Sequence, residues 1–361
     1  MIMSIGLLDR YLWRQLRGLF VFGVSIFTTL LMFNHLFLLA RLVFQRGAPL
    51  GTAIELMMYR LPYFLAFSFP MATLLAVLMA MSRLSDGQEI TAMRTSGISL
   101  KRIALSVAVA GLLVSALTLV FNEGVVPPAE DRYRIAFAGL LEQPTPVEQQ
   151  QVLFREQQEG VESVYYIRRF RTEAGRMEGV VVNQFEGGRL LRIIEAPEAS
   201  YLDGAWIFQR GKMYLFTGST TVTTTFKRLR VGLRRTPKEI GIPQKEPSEM
   251  TIRELRAYVG VLRRSGENVA RFSVELQSKI AFPLSAMLFS LLAVPLGLRP
   301  HRSGTSIGFG LTIVVLLVYY LMISVTLTLG QGGRLHPIAA AWLPNLVLAT
   351  GGILLLRRAD R

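Results

Sequence analysis

The chain has 361 residues, of which 51% are hydrophobic and 18% are charged, with a formal net charge of +15 and no cysteine. This composition excludes an ordinary soluble protein of this size, and the lack of cysteine excludes disulfides, thiolate chemistry and cysteine-bound metal. In a membrane protein a basic balance reflects orientation and contact with anionic lipid rather than nucleic acid.

Six stretches without Asp, Glu, Lys or Arg are long enough to cross a bilayer, which takes about 20 residues of helix. The first is interpreted as an uncleaved anchor, because its 22 residues are too many for the apolar region of a typical signal peptide and no small-residue cleavage site is evident. The six predicted spans are residues 19–40, 61–82, 103–122, 280–298, 303–333 and 335–356.

The distribution of Lys and Arg in the short loops predicts the orientation. With the N-terminus inside, the inner segments hold twelve basic residues and the short outer segments hold four. Because cytoplasmic loops are the basic ones, both termini are expected to be cytoplasmic. The long region between the third and fourth spans, residues 123–279, is then expected outside the membrane.

A short helix is predicted in the cytoplasmic loop between the second and third spans, residues 83–100, which reads RLSDGQEITAMRTSGISL. Ser85 and Gln88 have the spacing of a capping box, which would begin a helix. Gly97 followed by Ile98 is typical of a Schellman end, in which glycine takes the left-handed conformation. These signals predict a helix of about ten residues, about 15 Å long.

This helix, placed at residues 85–96, has two interpretations. It is either a solvated connector whose charges serve orientation, or a coupling helix seated in a groove of a cytoplasmic motor protein and anchored there by charge. The second interpretation requires a separate ATPase, because the chain has no G-x-x-x-x-G-K-[ST] phosphate loop.

The region outside the membrane has a β-rich centre. Residues 123–142 are polar and are interpreted as a continuation of the third helix, interrupted by Pro127 and Pro128. Short β-rich runs between glycine-containing turns follow, which favour an all-β sandwich or jelly roll. Strands are predicted at residues 161–170, 179–185, 190–194, 205–216 and 220–233.

A helix is predicted between the β-rich region and the fourth span. Thr251 and Glu254 have capping-box spacing. An apolar stripe follows at helical spacing, and Gly266 lies near its end. The predicted domains are therefore residues 1–143 with three spans, 144–246 with the β-domain, and 247–361 with the linker helix and three spans.

Polar residues inside the predicted spans need partners. Asn34, His35 and Asn345 are expected to face other helices rather than lipid. Lys279 begins an apolar span and also needs a partner.

Seven segments, taken in order and together with the large insert, resemble the lipopolysaccharide export permease family LptF/LptG, also called YjgP/YjgQ. The resemblance covers almost the whole chain and rests on their combination. The segments are residues 8–11 (LDRY), 88–94 (QEITAMR), 96–99 (SGIS), 275–284 (ELQSKIAFPL), 294–297 (VPLG), 319–320 (YY) and 342–345 (WLPN).

The resemblance implies an α+β membrane protein with a periplasmic β-jelly-roll inserted between helices 3 and 4, in the bacterial inner membrane. It implies one half of a transporter without a catalytic site or cofactor. An F-type and a G-type subunit pair and bind a dimeric cytoplasmic ABC ATPase. Together they extract lipopolysaccharide, which passes through the jelly-roll to a periplasmic bridge of similar domains.

The resemblance also implies site residues. The family's coupling-helix glutamate falls on Glu89, and Asp86 and Arg94 flank it as ATPase-coupling candidates. Basic residues near the outer helix ends would hold the acidic head group through charge-assisted bonds, or else contact phospholipid. The head-group candidates are Arg41, Arg46, Arg60, Arg132, Arg134 and Lys279.

Aromatic residues of the β-domain are either a path for acyl chains, if the sandwich parts at one seam, or plain core. The candidates for the path are Phe185, Trp206, Phe208, Tyr214 and Phe226.

Two other functions compete with the exporter. A membrane-anchored enzyme acting on lipid or cell-wall glycan would need a nucleophile–base pair, a metal cluster or a nucleotide loop, and none is evident, although an acid pair in the outer domain stays open. The histidines His35, His301 and His336 are too far apart to suggest zinc. A mechanotransmitting permease-like protein generally has four spans rather than six.

Overall fold

The structure is a computed structural model in which the chain divides into two compact units. The helical unit joins Met1–Tyr133 with Lys245–Arg361, and the sheet unit is Arg134–Gln244. The described residues are 6–47, 49–140, 148–158, 161–171, 174–187, 189–202, 204–217, 220–233, 236–240, 246–264, 268–298 and 306–360.

Long helices build the helical unit. The described helices of the chain, of which the short α6 belongs to the sheet unit, are α1 Leu7–Arg46, α2 Leu50–Asp86, α3 Glu89–Thr95, α4 Leu100–Val120, a π-helix Phe121–Val125, α5 Val126–Leu140, α6 Pro237–Ile240, α7 Ile252–Arg264, α8 Ala270–Gly297, α9 Ser306–Gln331 and α10 Pro337–Ala359. Six of them, counting α4 with its continuation as one, are long and apolar enough to cross a membrane, which confirms the six predicted spans.

The helices extend beyond the uncharged stretches that predicted them. Helix α1 has 40 residues, which at 1.5 Å per residue makes it about 60 Å long. It ends at Gly47, whose φ of 69° is left-handed and whose N–H reaches the carbonyls of Leu42 and Val43. The helix continues through charged residues until a capping residue ends it. The limits of the uncharged stretch therefore do not mark the ends of the helix.

Helix α2 lies at the centre of the bundle. Its most apolar window is 78% buried, against 22% for that of α9. Leu74, Leu75, Leu78 and Met81 of α2 are fully buried. The outer helices α1 and α9 expose apolar side chains, as expected of surfaces that meet lipid or another membrane protein.

Small residues bring α4 and α8 into close contact. A Cβ on Gly111 would lie 2.3 Å from the Oγ of Ser290 and 3.0 Å from the Cα of Met287. One turn further along α4, the Oγ of Ser115 accepts the backbone N–H of Met287 at 3.1 Å. The two helices therefore pack closely, with the Ser115 side chain bonded to the α8 backbone, and a larger side chain at position 111 would force them apart.

The third helix continues beyond the predicted span 103–122, but the prolines do not interrupt it. The irregularity is the π-helix Phe121–Val125 just before them, in which the N–H of Val126 bonds to the carbonyl of Phe121. Pro127 and Pro128 then fall in the first turn of α5, where their missing N–H groups are tolerated. The wider turn of the π-helix therefore lets the helix continue across Pro127 and Pro128 without a break.

The sheet unit is one antiparallel sheet with its strands in chain order from β1 to β6. This confirms the inserted β-domain, although β1 was not predicted because its sequence EQQQVLFREQQ is mostly polar. The strands are β1 Glu148–Gln158, β2 Val161–Arg171, β3 Arg176–Glu186, β4 Arg189–Leu202, β5 Ala205–Thr217 and β6 Thr220–Val231.

The sheet curls over its own core. Adjacent strands are about 4.8 Å apart, so β2 and β5 would be about 14 Å apart in a flat sheet. The rings of Phe170 on β2 and Trp206 on β5 are 6.2 Å apart, and both are fully buried with Phe208. A single curled sheet therefore encloses the core that two sheets of a sandwich would share.

We expect Gly111→Ala to destabilise the helical unit, because the added methyl group meets Ser290 and the α8 backbone. Overpacking of this kind costs roughly 1–3 kcal/mol. The measurement is the thermal unfolding midpoint in detergent. Gly310→Ala on α9 is the matched control, since a Cβ there has no atom within 4 Å and its midpoint should hold or rise. Equal midpoints for both variants would contradict the close packing.

Candidate functional site

The predicted short helix exists, but it begins later than predicted. Helix α2 continues to Asp86, so Ser85 lies in its last turn and the predicted Ser85–Gln88 capping box is wrong. Gln88 instead takes a left-handed φ of 59° and makes no side-chain cap. The buried Leu84 keeps α2 packed and helical up to this corner, which leaves α3 with 7 residues rather than about ten.

The end of α3 is as predicted. Gly97 has a φ of 86°. The N–H of Ile98 bonds to the carbonyl of Met93 at 3.0 Å, and the N–H of Gly97 to that of Arg94 at 3.0 Å. These are the two bonds of a Schellman motif, which fixes the C-terminal end of the helix.

Helix α3 is seated on the bundle by one side. Ile90 is buried, and Met93 and Ile98 pack against the core of the helical unit. The three predicted coupling residues, Asp86, Glu89 and Arg94, are all exposed. Their charges are thus available at one end of the bundle, and their role in coupling remains a prediction.

Helix α1 begins beside this corner with an ion pair that the sequence did not predict, between a buried carboxylate and a partly exposed guanidinium group. The two terminal guanidinium nitrogens of Arg102, Nη1 and Nη2, donate to the carboxylate of Asp9, at 2.8 and 2.7 Å. The backbone N–H of Gly6 donates to the same carboxylate at 3.1 Å, and Asp9 is 6% exposed. The first turn of α1 is therefore fixed to the first turn of α4.

Two further side chains of α1 reach the α2–α3 corner. The hydroxyl of Tyr11 donates to Oε2 of Glu89, and the guanidinium of Arg83 donates to Oε1 of Gln15. Tyr11 and Gln15 are one helical turn apart, so both bonds come from the same face of α1. At the same end, Lys101 pairs with Asp360 at 2.8 Å.

Arg60, a head-group candidate, is paired within the chain at the opposite end of the bundle. Its guanidinium forms an ion pair with Glu130, which is 1% exposed. It also lies 4.6 Å from the ring centre of Tyr63 and 5.2 Å from that of Tyr133. A buried carboxylate and two aromatic rings thus hold this arginine in place.

Lys279 has the partner that its position at the start of an apolar span requires. It is 9% exposed, and its Nζ donates to the carbonyl oxygen of Ser248 at 2.8 Å. Glu275 lies one turn earlier on α8. Both charged residues line a cavity of about 190 Å³. The aromatic side chains of that cavity are Tyr63, Phe67, Phe282, Tyr319 and Tyr320.

The segment that carries Ser248 leads into α7, which is capped as predicted. The N–H of Thr251 donates to Glu254 at 2.8 Å, and the N–H of Glu254 to Thr251 at 3.1 Å. Glu123 of the π-helix accepts the N–H of Ile252 at 2.9 Å. Tyr258 packs on α8, and burial raises the pKa of its hydroxyl to about 12.

The other head-group candidates have different surroundings. Arg41 and Arg132 are exposed, whereas Arg134 is half-buried. Arg46 ends α1, and its side chain lies outside the described residues. Arg41 and Arg132 are therefore the described candidates whose guanidinium groups are open to solvent or lipid.

The aromatic candidates of the sheet unit fall into two groups that differ in burial. Trp206 and Phe208 are fully buried in the core, whereas Phe185, Tyr214 and Phe226 are partly buried. A Cβ on Gly211 would lie 2.3 Å from the ring of Phe226. The first two side chains stabilise the sheet, and the role of all five in an acyl path remains a prediction.

Three segments of the resemblance meet between α8, α9 and α10. The indole N–H of Trp342 donates to Gln277 at 3.3 Å. The amide of Asn345 donates to the carbonyl of Ala281 at 2.6 Å and accepts the hydroxyl of Tyr319 at 2.9 Å. Asn345 therefore faces other helices as predicted, and these residues hold the last three spans together.

Six apolar helices, a β-sheet inserted after the third, and a short capped helix at one end of the bundle define a multi-pass membrane protein with an inserted β-domain. Among the described residues, no group of three or more metal-binding side chains is found. The family model "Lipopolysaccharide export system permease LptF/LptG" matches residues 10–358. The chain belongs to this family.

Relatives support the assignment over nearly their full length. The chain is 29% identical over 370 residues to the "Lipopolysaccharide export system permease protein LptG" of Escherichia coli (strain K12), covering 94% of this chain and 95% of the relative. It is 26% identical over 356 residues to the protein of that name from Haemophilus influenzae, covering 95% and 96%.

We expect Arg60→Met to lower the stability of the helical unit, because it leaves the buried Glu130 without its arginine. Breaking a fully buried pair costs about 3–5 kcal/mol, and solvent screening of the partly exposed Arg60 lowers this to roughly 2–3 kcal/mol. The double variant Arg60→Met/Glu130→Gln should recover part of the loss, measured as the unfolding midpoint in detergent. An unchanged midpoint for Arg60→Met would show that the pair does not stabilise the fold.

Proposed function

We propose that this chain is the G-type permease subunit of an ATP-driven exporter that extracts lipopolysaccharide, or a similar glycolipid, from the inner membrane. The observation that carries the proposal is the family match across residues 10–358, which includes the inserted sheet and α3. The relatives from two species bear the name LptG, which favours the G-type over the F-type.

The end of the bundle that carries α3 is the cytoplasmic end in this proposal. The excess of Lys and Arg in the loops at that end supports the orientation. Both termini are then cytoplasmic, and the sheet unit is periplasmic.

The exposed surface of α3 is the docking site for a dimeric cytoplasmic ATPase. Glu89 supplies a carboxylate for a basic pocket on the partner, while Asp86 and Arg94 are exposed beside it. The Schellman end and the buried Ile90 support this role, because a helix that transmits displacement must not fray. The sequence has no phosphate loop, so ATP is hydrolysed by the partner.

Glycolipid is recognised at the opposite end. Phosphate groups on the sugar are held by guanidinium groups, which form bidentate charge-assisted bonds. The exposed Arg41 and Arg132 are suited to this contact, whereas Arg60 is already paired with Glu130. The acyl chains then pass along the sheet unit to a periplasmic bridge protein with a similar domain.

The test is reconstitution of the purified complex. Expression of the chain with a tag should capture a paralogous permease, a soluble ATPase and lipopolysaccharide. The complex in vesicles should release the glycolipid to a periplasmic acceptor only with ATP. Isolation of the chain without an ATPase, or hydrolysis of lipid or glycan by the chain alone, would contradict the proposal.

We expect Glu89→Ala to abolish ATP-driven release, because it removes the carboxylate that enters the partner's basic pocket. The measurement is glycolipid transferred per ATP hydrolysed. Glu55→Ala is the matched control, since Glu55 is an exposed glutamate on α2 at the opposite end. Unchanged export by the Glu89 variant would refute the coupling role.

We expect Arg41→Glu to weaken glycolipid binding about tenfold, the equivalent of one charge-assisted hydrogen bond. The measurement is photocrosslinking of lipopolysaccharide at position 41 and binding to the detergent-solubilised complex. Arg358→Glu, an exposed arginine at the other end, serves as control. Lys279→Glu should also weaken binding, but it disturbs the bond to Ser248 and is less specific. Lack of any crosslink near position 41 would count against the site.

A further inference from the structure

The first turn of α1 makes several hydrogen bonds to other helices that the proposed function does not explain. Asp9 is held by three hydrogen bonds, two from Arg102 and one from Gly6. Tyr11 projects from the same turn to the carboxylate of Glu89. The residues 8–11 that carry the resemblance are thus joined to α3, although 78 residues separate Tyr11 from Glu89.

The bond from Tyr11 restricts a side chain that would otherwise be mobile, because of where Glu89 lies. Glu89 is the first residue of α3, directly after Gln88, whose left-handed backbone turns the chain sharply. An exposed glutamate side chain rotates about several bonds, and fixing it on binding costs conformational entropy. The hydroxyl of Tyr11 occupies Oε2, and a carboxylate retains further lone pairs for a second donor.

We propose that Tyr11 is a positioning residue. Its hydroxyl holds the Glu89 carboxylate in the orientation in which a cationic group of the partner ATPase binds that carboxylate. This inference rests on the proposed coupling role of Glu89. Asp9 and Arg102 support this role indirectly, because their ion pair fixes the helical turn that carries Tyr11. Gln15, which accepts a hydrogen bond from Arg83 one turn along α1, secures the same corner independently.

The arrangement also links α3 to α1. A displacement of α3 by the motor is passed to α1 through the Tyr11–Glu89 contact, while the Gln15–Arg83 contact ties α1 to the end of α2 beside it. The bidentate bond between Asp9 and Arg102 passes it on to α4. The coupling site therefore includes the start of the first span as well as the short helix.

The experiment is Tyr11→Phe in the complete transporter, which removes one hydroxyl and keeps the ring. We expect the complex to assemble and to retain its unfolding midpoint. Glycolipid exported per ATP should fall about three- to tenfold, as for loss of one ordinary hydrogen bond at an exposed site. Tyr59→Phe is the matched control, because the hydroxyl of Tyr59 donates to Glu55 at 2.7 Å at the other end of the bundle.

A double-mutant cycle separates positioning from mere stabilisation. If Tyr11 acts through Glu89, then Tyr11→Phe adds no further loss to the residual export that the milder Glu89→Gln variant retains. A lowered midpoint with additive losses would overturn the inference in favour of a structural role. Unchanged export by Tyr11→Phe would also overturn it.

The two proposals fail in different ways. Loss of export in Glu89→Gln with normal export in Tyr11→Phe removes the positioning role and leaves the coupling role intact. Normal export in Glu89→Gln removes the coupling role, and the positioning role with it.

Discussion

A charge within an apolar helix bundle must find a partner there, because an unpaired buried ion costs several kcal/mol. The bundle meets this constraint with contacts between distant parts of the chain. Asp9 of α1 meets Arg102 of α4, and Arg60 of α2 meets Glu130 of α5. Lys279 of α8 bonds to a backbone carbonyl before α7. The candidate sites at the two ends of the bundle are built around these contacts.

The sequence predicted whatever depends on local pattern. Absence of charge located the six spans, and the same capping motif was right at Thr251–Glu254 but wrong at Ser85–Gln88. The difference is context. Thr251 follows a turn, so its cap begins a helix. Ser85 follows the buried Leu84 on a helix that is already packed, and tertiary contacts override the local signal.

The sequence could not predict which charges would be paired. Glu89 and Arg60 were identified as charged residues of interest, but their partners lie 78 and 70 residues away. Spacing within one helix carries no information about such contacts. Strand β1 was missed for a related reason, because it buries few apolar side chains and most of its residues are polar. Curvature of the sheet became visible only through the approach of Phe170 and Trp206.

The length of α1 makes it a rigid rod about twice as long as the hydrocarbon layer is thick. Tyr11 and Arg41 stand on this rod about 45 Å apart, at 1.5 Å per residue. A tilt of about one degree about the Tyr11 end moves Arg41 sideways by about 0.8 Å. A tilt of α1 that is too small to disturb the packing around Asp9 therefore moves Arg41 by about the distance over which a hydrogen bond is made or lost.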